Sequence, residues 1–577
     1  MRHKPFQNVL IAVLCLGPGL CGTGSLLAGP DRPHSDWSHH RGSRQPVTCE
    51  EIDAVEMPGL SISVSEHVAA DASVPVPAHC RVVGTLDERV GVDGKRYGIG
   101  FELRLPEDWN GRFLFQGGAG NDGVILPALG SMGNGQNSNA LNEGYAVVST
   151  DAGHKIEEVP LIGGNLFAID PQARSAYGYA AVHKVATIAK ALIARRYALG
   201  PRYSYFVGCS NGGRQGMVAA ERFPDLFDGI VSGNPGFNLP RAALQHPWDV
   251  QAFGAVAPKA ADGRPILSLA FSDRDLALIS EKVAEQCDQL DGLEDGIIEN
   301  QPACRFDPVV LQCSGDKTDT CLSTSQVHAL QKVFGGALDS TGATLYSDWP
   351  YDTGIASPGW RVWKLGFSQT SKPDAIIATL GGGSLPYVFM TPPDAVAGVP
   401  PEQNGLAVYD YLLNFDFHSN ASRIYETSGI YRESAMDFMS AKPRLAIFRS
   451  LGHKLILYHG TSDPVFSVND TIEYYRHLAR RNGGLRRTGN FARLFVVPGM
   501  THCSGGPSTD GFNTLAPIVD WVEKGKVPDS IKAVARADNP TPWPGRSRPL
   551  CAYPLQVRYK GSGNIEEAES FRCEKVD

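Results

Sequence analysis

No Cys-x-x-Cys pair occurs among the 12 cysteines, so the close ligand spacing of a structural zinc site is missing. No apolar run approaches the roughly 20 residues that cross a bilayer, and the N-terminal stretch from Val9 to Leu16 is far too short. Positive charge is not in excess either. Lys and Arg number 53 against 61 Asp and Glu, a formal net charge of −8, with an isoelectric point of about 6.0. Such a balance favours solubility and offers nucleic acid no footing. Internal repeats and low-complexity tracts are also absent. These exclusions leave a globular protein with neither a membrane nor a nucleic acid as partner.

The 577 residues are about three to four times the usual length per domain, which predicts one core plus a large insertion or second domain. Hydrophobic residues at 42% and charged residues at 20% suit a buried core and argue against long disorder. Arg2, His3 and Lys4 give a basic start, the short apolar run follows, and small residues near Ala28 and Gly29 suit cleavage. Residues 1–29 therefore read as an export signal, and the mature protein as secreted or periplasmic. Two cysteines fall in that signal. The remaining ten are an even number in an exported chain, which predicts five disulfides.

Residues 30–48 are polar and read as a loose leader, after which strand-like and helical runs alternate. Arg112 to Phe115 is an apolar strand leading into the glycine-rich Gln116-Gly117-Gly118-Ala119-Gly120-Asn121-Asp122-Gly123, and Tyr145 to Thr150 is a β-branched one. Helical spacing runs over Ala176 to Tyr197, followed by a strand at Tyr203 to Val207 and a helix at Gly212 to Phe223. Such alternation predicts a mostly parallel sheet with helices on both faces. It stops over residues 239–440, which are rich in Pro, Gly, Asp and aromatics and hold four of the ten mature cysteines. It resumes with a strand at Lys454 to Tyr458, a helix at Val468 to Arg481, a strand at Arg493 to Val497 and a helix at Pro517 to Lys524. One α/β core in two parts, 30–238 and 441–577, is thus interrupted by a lid-like insertion at 239–440.

Gly208-Cys209-Ser210-Asn211-Gly212 is the one G-x-S-x-G match, placed directly after a strand and opening a helix. That is the setting of the nucleophile elbow of an α/β-hydrolase, whose tight turn needs glycines. A serine nucleophile needs a base, and the base an orienting acid. In this fold class acid and histidine follow the serine in that order, each just beyond a strand. Asp463 ends Tyr458-His459-Gly460-Thr461-Ser462-Asp463, and His502 ends Val497-Pro498-Gly499-Met500-Thr501-His502. Of the 15 histidines, His154 and His459 are the rivals for the base. The amide of Asn211 is the natural first donor to an oxyanion, and Gly118 or Ala119 in the glycine loop the second, with the register open by a residue.

Together, Gly208-Cys209-Ser210-Asn211-Gly212-Gly213-Arg214, the Tyr458 to Asp463 segment and Pro498-Gly499-Met500-Thr501-His502-Cys503 resemble the tannase and feruloyl esterase family. That family also contains the mono(2-hydroxyethyl) terephthalate hydrolases. The resemblance runs from about Cys49 to Cys573 and includes the cysteines that flank the serine and the histidine. It implies an α/β-hydrolase core with a lid, secretion, and hydrolysis of esters of aromatic carboxylic acids. It also implies a structural Ca2+, for which Asp288, Asp291 and Asp295 offer carboxylates, with Leu293 and Ile297 resembling the family's carbonyl ligands. Hard oxygen ligands on a glycine-bearing loop suit calcium, although the spacing is not that of an EF-hand.

Cys209 and Cys503 adjoin the predicted nucleophile and base, so a triad within hydrogen-bond reach would bring them to disulfide distance. Proximity and exclusion then pair Cys49 with Cys80, Cys287 with Cys304, Cys313 with Cys321 and Cys551 with Cys573, in agreement with the resemblance. In the insertion, Arg361, Trp360, Trp363, Tyr387 and Phe389 are candidates for an aromatic acyl pocket, although any one of them taken alone reads better as ordinary core. The reading is a secreted serine esterase acting through an acyl-enzyme on small aromatic esters of feruloyl, galloyl or terephthaloyl type. Its rivals are a secreted serine peptidase of the same fold and a non-catalytic, disulfide-rich binding protein on this scaffold.

Overall fold

A computed structural model describes residues 45–575 apart from 72–75, 131–137, 160–161, 395–403, 538, 540–542 and 544. The export signal lies outside the described residues.

Nine strands form one sheet: β1 (Leu60–Val68), β2 (His79–Val90), β3 (Arg96–Pro106), β4 (Arg112–Gln116), β5 (Ala146–Thr150), β6 (Tyr203–Cys209), β7 (Gly229–Gly233), β8 (Lys454–Gly460) and β9 (Ala492–Val497). Their order across the sheet is β1-β2-β3-β5-β4-β6-β7-β8-β9. The first three strands and the β3–β5 junction are antiparallel, and from β5 to β9 every neighbour is parallel. The sequence explains this split. β5 (Ala-Val-Val-Ser-Thr) is buried at every residue, as a strand covered on both faces must be, whereas β1 alternates half-buried with exposed residues along most of its length.

Helices cover the parallel part. In α1 (Ala181–Tyr197) the buried residues Val182, Val185, Ala186, Ala189, Leu192 and Ile193 recur at helical spacing and face the sheet. α2 (Asn211–Arg222) leaves β6 through Ser210. α3 (Leu239–Gly254) and α4 (Asp273–Cys287) lie in the long segment between β7 and β8, which adds no strand to the sheet. α5 (Val468–Asn482) and α6 (Leu515–Lys524) follow β8 and β9. One buried apolar cluster joins Phe115 and Phe206 of the sheet to Val250 of α3, Ile279 of α4 and Phe389 of the insertion. A second, on the other face, is built around Ile456, Phe495 and Trp521. Two hairpins close the chain, β10 (Ser530–Val534) with β11 (Ser547–Cys551) and β12 (Gln556–Tyr559) with β13 (Phe571–Glu574).

The five disulfides join Cys49–Cys80, Cys209–Cys503, Cys287–Cys304, Cys313–Cys321 and Cys551–Cys573. The predicted helices and strands appear with ends shifted by a residue or two, except that α1 starts at Ala181 because the predicted first turns, Ala176–Ala180, are π-helical. Strands β1 to β3, the five-residue Gly-Ile-Val-Ser-Gly strand β7 and the terminal hairpins are additions to the sequence reading. β7 is bracketed by glycines and too short to show a period.

Candidate active site

Ser210 caps the sharp turn between β6 and α2 with φ 63° and ψ −124°, a backbone conformation that L-residues rarely adopt. The turn closes only because its neighbours lack side chains. A Cβ on Gly208 would come within 2.6 Å of Gly212, and one on Gly213 within 2.4 Å of the Gly233 carbonyl. The Ser210 amide also donates to Gly233 at 2.9 Å, which fastens the elbow to the end of β7.

The loops after β8 and β9 bring the acid and the histidine to this serine. His502 Nε2 lies 2.8 Å from Ser210 Oγ, and His502 Nδ1 lies 3.0 Å from Asp463 Oδ2 and 3.1 Å from Oδ1. Asp463 is buried, and burial alone would raise its pKa. The adjacent His502 and hydrogen bonds from His459 and His502 outweigh burial and hold the carboxyl far below the usual range. Its Oδ1 accepts from the amides of Val465 at 2.8 Å and Phe466 at 3.2 Å, and its Oδ2 from Asn234 Nδ2 at 2.7 Å. The insertion reaches the same loops. Trp349 Nε1 donates to the Asp463 carbonyl at 2.9 Å, and Asp352 accepts from the Thr461 hydroxyl and from the Gly499 amide at 3.2 Å. Cys209 and Cys503 tie elbow and histidine loop together with their Cα atoms 6.0 Å apart.

The glycine loop after β4 lies against the elbow, where a Cβ on Gly117 would come within 2.9 Å of Gly212. The Gly118 amide donates to Gln215 Oε1 at 3.0 Å, so it is spent. The Ala119 amide has no acceptor among the described residues, so it stays a candidate for the second donor. The Asn211 amide, in the first turn of α2, likewise has no intrahelical partner. Asp122 holds this arrangement by accepting from Asn211 Nδ2, and from Gln215 Nε2 at 2.7 Å. Burial pushes the Asp122 carboxyl up to about 7 in spite of those donors.

Of the rival histidines, His154 is buried in an aromatic stack with its ring 3.7 Å from that of Phe167, and burial lowers its pKa to about 3. His459 lies beside Asp463, not Ser210. Among the insertion candidates, Trp363 presents its ring edge-on to His502 at 5.2 Å, and Phe466 does so from the acid loop at 5.5 Å. Trp360, Tyr387 and Phe389 are buried core, and Arg361 is occupied by the carbonyls of Ser268 and Phe271 at 2.7 and 3.0 Å. Sequence reasoning missed Asn234, Gln215, Asp122 and Asp352. Nothing local marks them, because each acts on a residue distant along the chain.

The acidic loop lies between α4 and residue 300. Asp288 Oδ2 accepts from the Gly296 amide at 2.8 Å, Asp291 from Leu293 and Glu299 at 3.1 and 2.9 Å, and Asp295 from Ile297 at 3.0 Å. Asp288 Oδ1 is buried without a hydrogen-bond partner among the described residues. Burial, with Asp295 and Asp288 nearby, pushes Asp291 up to about 7. Among the described residues, the cationic side chain bonded to these three carboxylates is Arg548, on Asp295. Among the described residues no three acidic, histidine or cysteine side chains are drawn into a ready metal-holding group. The donor type and the orphaned Asp288 oxygen nevertheless fit a hard cation.

The family described as tannase and feruloyl esterase matches residues 80–574. The chain is 41% identical over 529 residues to the mono(2-hydroxyethyl) terephthalate hydrolase of Piscinibacter sakaiensis, covering 88% of this chain and 86% of that protein. It is 29% identical over 563 residues to a probable feruloyl esterase of Arthroderma benhamiae, covering 92% and 94%. Among solved structures, feruloyl esterase B from Aspergillus oryzae superposes with a TM-score of 0.69 at 24% identity, over 91% of this chain and 99% of that one. The tannin acyl hydrolase of Aspergillus niger does so with 0.64 at 22% identity, over 92% and 95%. Both structural likenesses speak to the fold.

Proposed function

We propose that this chain, which belongs to the tannase and feruloyl esterase family and is a carboxylic ester hydrolase acting on aromatic esters, works as a serine esterase through an acyl-enzyme. The observation that carries the reading is the unbroken line of hydrogen bonds from Ser210 Oγ through His502 to Asp463, at 2.8 and 3.0 Å. His502 Nε2 takes the serine proton as Oγ attacks the ester carbonyl, and Asp463 holds the imidazole in the tautomer that leaves Nε2 free to accept. The oxyanion that develops falls to the amides of Asn211 and Ala119, for which no acceptor lies among the described residues. His502 then protonates the departing alcohol. It next activates a water that releases the aromatic acid and restores Ser210. Trp363 and Phe466, edge-on to His502, are the apolar walls for the acyl ring.

The 239–440 segment serves as the lid, since Trp363 comes from it. The protein is secreted or periplasmic. Five disulfides support this, as does the basic-then-apolar start of the chain, and no described helix is long and apolar enough to cross a membrane. A structural calcium is held by Asp288, Asp291 and Asp295 with the carbonyls of Leu293 and Ile297, where it supplies the positive charge these carboxylates lack and takes no part in the reaction. Methyl gallate, methyl ferulate and mono(2-hydroxyethyl) terephthalate assayed side by side against a peptide panel test the reading. Turnover of at least one ester and of no peptide is expected; peptide cleavage without ester hydrolysis contradicts it.

A further inference from the structure

His459, the rival candidate for the base, has both ring nitrogens engaged away from Ser210, and its side chain is fully buried. Nδ1 lies 2.8 Å from Thr471 Oγ1. Nε2 lies 3.0 Å from the Phe466 carbonyl oxygen and 3.2 Å from Asp463 Oδ2. A carbonyl oxygen only accepts, so Nε2 carries the hydrogen and Nδ1 accepts from the Thr471 hydroxyl. The tautomer is therefore set by the threonine and the carbonyl, and it places the N–H that bonds the Phe466 carbonyl with its nitrogen 3.2 Å from the triad acid.

That N–H completes a symmetrical set. Asp463 Oδ2 accepts from Asn234 and lies 3.2 Å from His459 Nε2, Oδ1 accepts from the Val465 and Phe466 amides, and His502 approaches both oxygens. The terminal torsion of a free carboxylate is broad. One whose two oxygens are both engaged, with an imidazole N–H packed against the second, presents a single orientation to His502 Nδ1. We infer that His459 is a positioning residue of the esterase reaction, which locks the Asp463 carboxylate through Nε2–H and so keeps His502 aimed at Ser210. The inference rests on the triad reading above and adds the side chain that stands behind the acid. A histidine that only secured the turn after β8 would need the Phe466 carbonyl and no contact with Asp463.

The test compares His459→Gln, His459→Asn and His459→Phe on one aromatic ester. Gln places an N–H near the position of Nε2, Asn supplies one only near Nδ1, and Phe keeps the ring without a donor. Gln is expected within about tenfold of the original kcat, and Asn and Phe ten- to a hundredfold lower, with KM unchanged throughout, because only transition-state alignment is lost. Equal kcat in the Gln and Asn variants, or a folded Phe variant at the original kcat, overturns the inference. Thr471→Val removes the hydroxyl facing Nδ1 and leaves Asp463 untouched, so kcat falls a few-fold at constant KM. If no ring replacement folds, that variant decides, and an unchanged kcat overturns the inference. Ser210→Ala run alongside reports on the triad separately. Surviving activity there sinks the triad reading, whereas an inactive Ser210→Ala with equal Gln and Asn variants sinks only the role of His459.

Discussion

Asp463 and Asp291 are both buried carboxylates in loops, one in the core and one in the insertion, and their surroundings treat them oppositely. Around Asp463 the chain supplies two amides, an asparagine and two histidines, and the carboxyl is held far below its usual pKa. Around Asp291 it supplies two amides and two further aspartates, and the carboxyl is pushed up to about 7. The core loop is complete as folded, because its charge is balanced by groups of the same chain. The insertion loop brings three carboxylates together with Arg548 on one of them, which is the setting for which a bound cation is proposed above. Catalysis should therefore depend on residues in the first case, and stability on a solute in the second.

The core side of the comparison breaks most completely. Ser210→Ala should lower turnover about a millionfold while leaving the fold intact, and Asp463→Asn about ten-thousandfold, because the asparagine favours the wrong histidine tautomer. Steady-state kinetics with circular dichroism checks both; more than a tenth of the original activity in the serine variant contradicts the assignment. The double substitution Cys209→Ala/Cys503→Ala should cost on the order of a hundredfold in activity, out of proportion to any loss of secondary structure, since it unties elbow from histidine loop. It also opens a loop of 294 residues, for which chain entropy gives a ceiling of about 5–6 kcal/mol. Melting of the double variant separates the two effects, and a loss of stability with full activity would refute the alignment role.

The insertion side should respond in stability before chemistry. Exhaustive chelation should lower the melting temperature, since a ligand bound only by the native state stabilises it by mass action. Asp291→Ala should bring the untreated protein to the same lowered value. Elemental analysis that finds no calcium, together with an unchanged melting curve, would dismiss the site.

The smallest effect concerns an intermediate case. Asp151 is buried with two amide donors, Gly100 and Gly153 at 2.9 and 2.8 Å, and burial raises it to about 7. The native state thus keeps a proton that the unfolded chain releases near pH 4, so this group's contribution weakens as pH rises from about 4 to about 7. Both amides bond Oδ1, which an asparagine retains. Asp151→Asn should then match the parent near pH 4, before the loss begins, and exceed it in stability at pH 8 by denaturant melts; a variant less stable at both contradicts the sign.

What was legible in the sequence follows the same division. Ser210, Asp463 and His502 stand out because each is bound to a local pattern, the elbow or the exit of a strand, and chain order does the rest. The supporting donors carry no such mark. Asn234 meets Asp463 across 229 residues and Gln215 meets Gly118 across 97, so only the folded sheet brings them together. The choice between Gly118 and Ala119 was open in sequence for that reason. In the insertion the period is lost, and burial is decided by long-range packing: Trp360 and Trp363 are three residues apart, yet one is core and the other faces the histidine.

The central claim is that Ser210 carries the acyl group, and acid quenching with an aromatic ester at saturating concentration tests it most directly. Peptide mass spectrometry of the quenched protein should show the acyl mass added at Ser210, and none at that position in Ser210→Ala. An ester turned over with no adduct on Ser210, or with the adduct on another residue, would contradict the account.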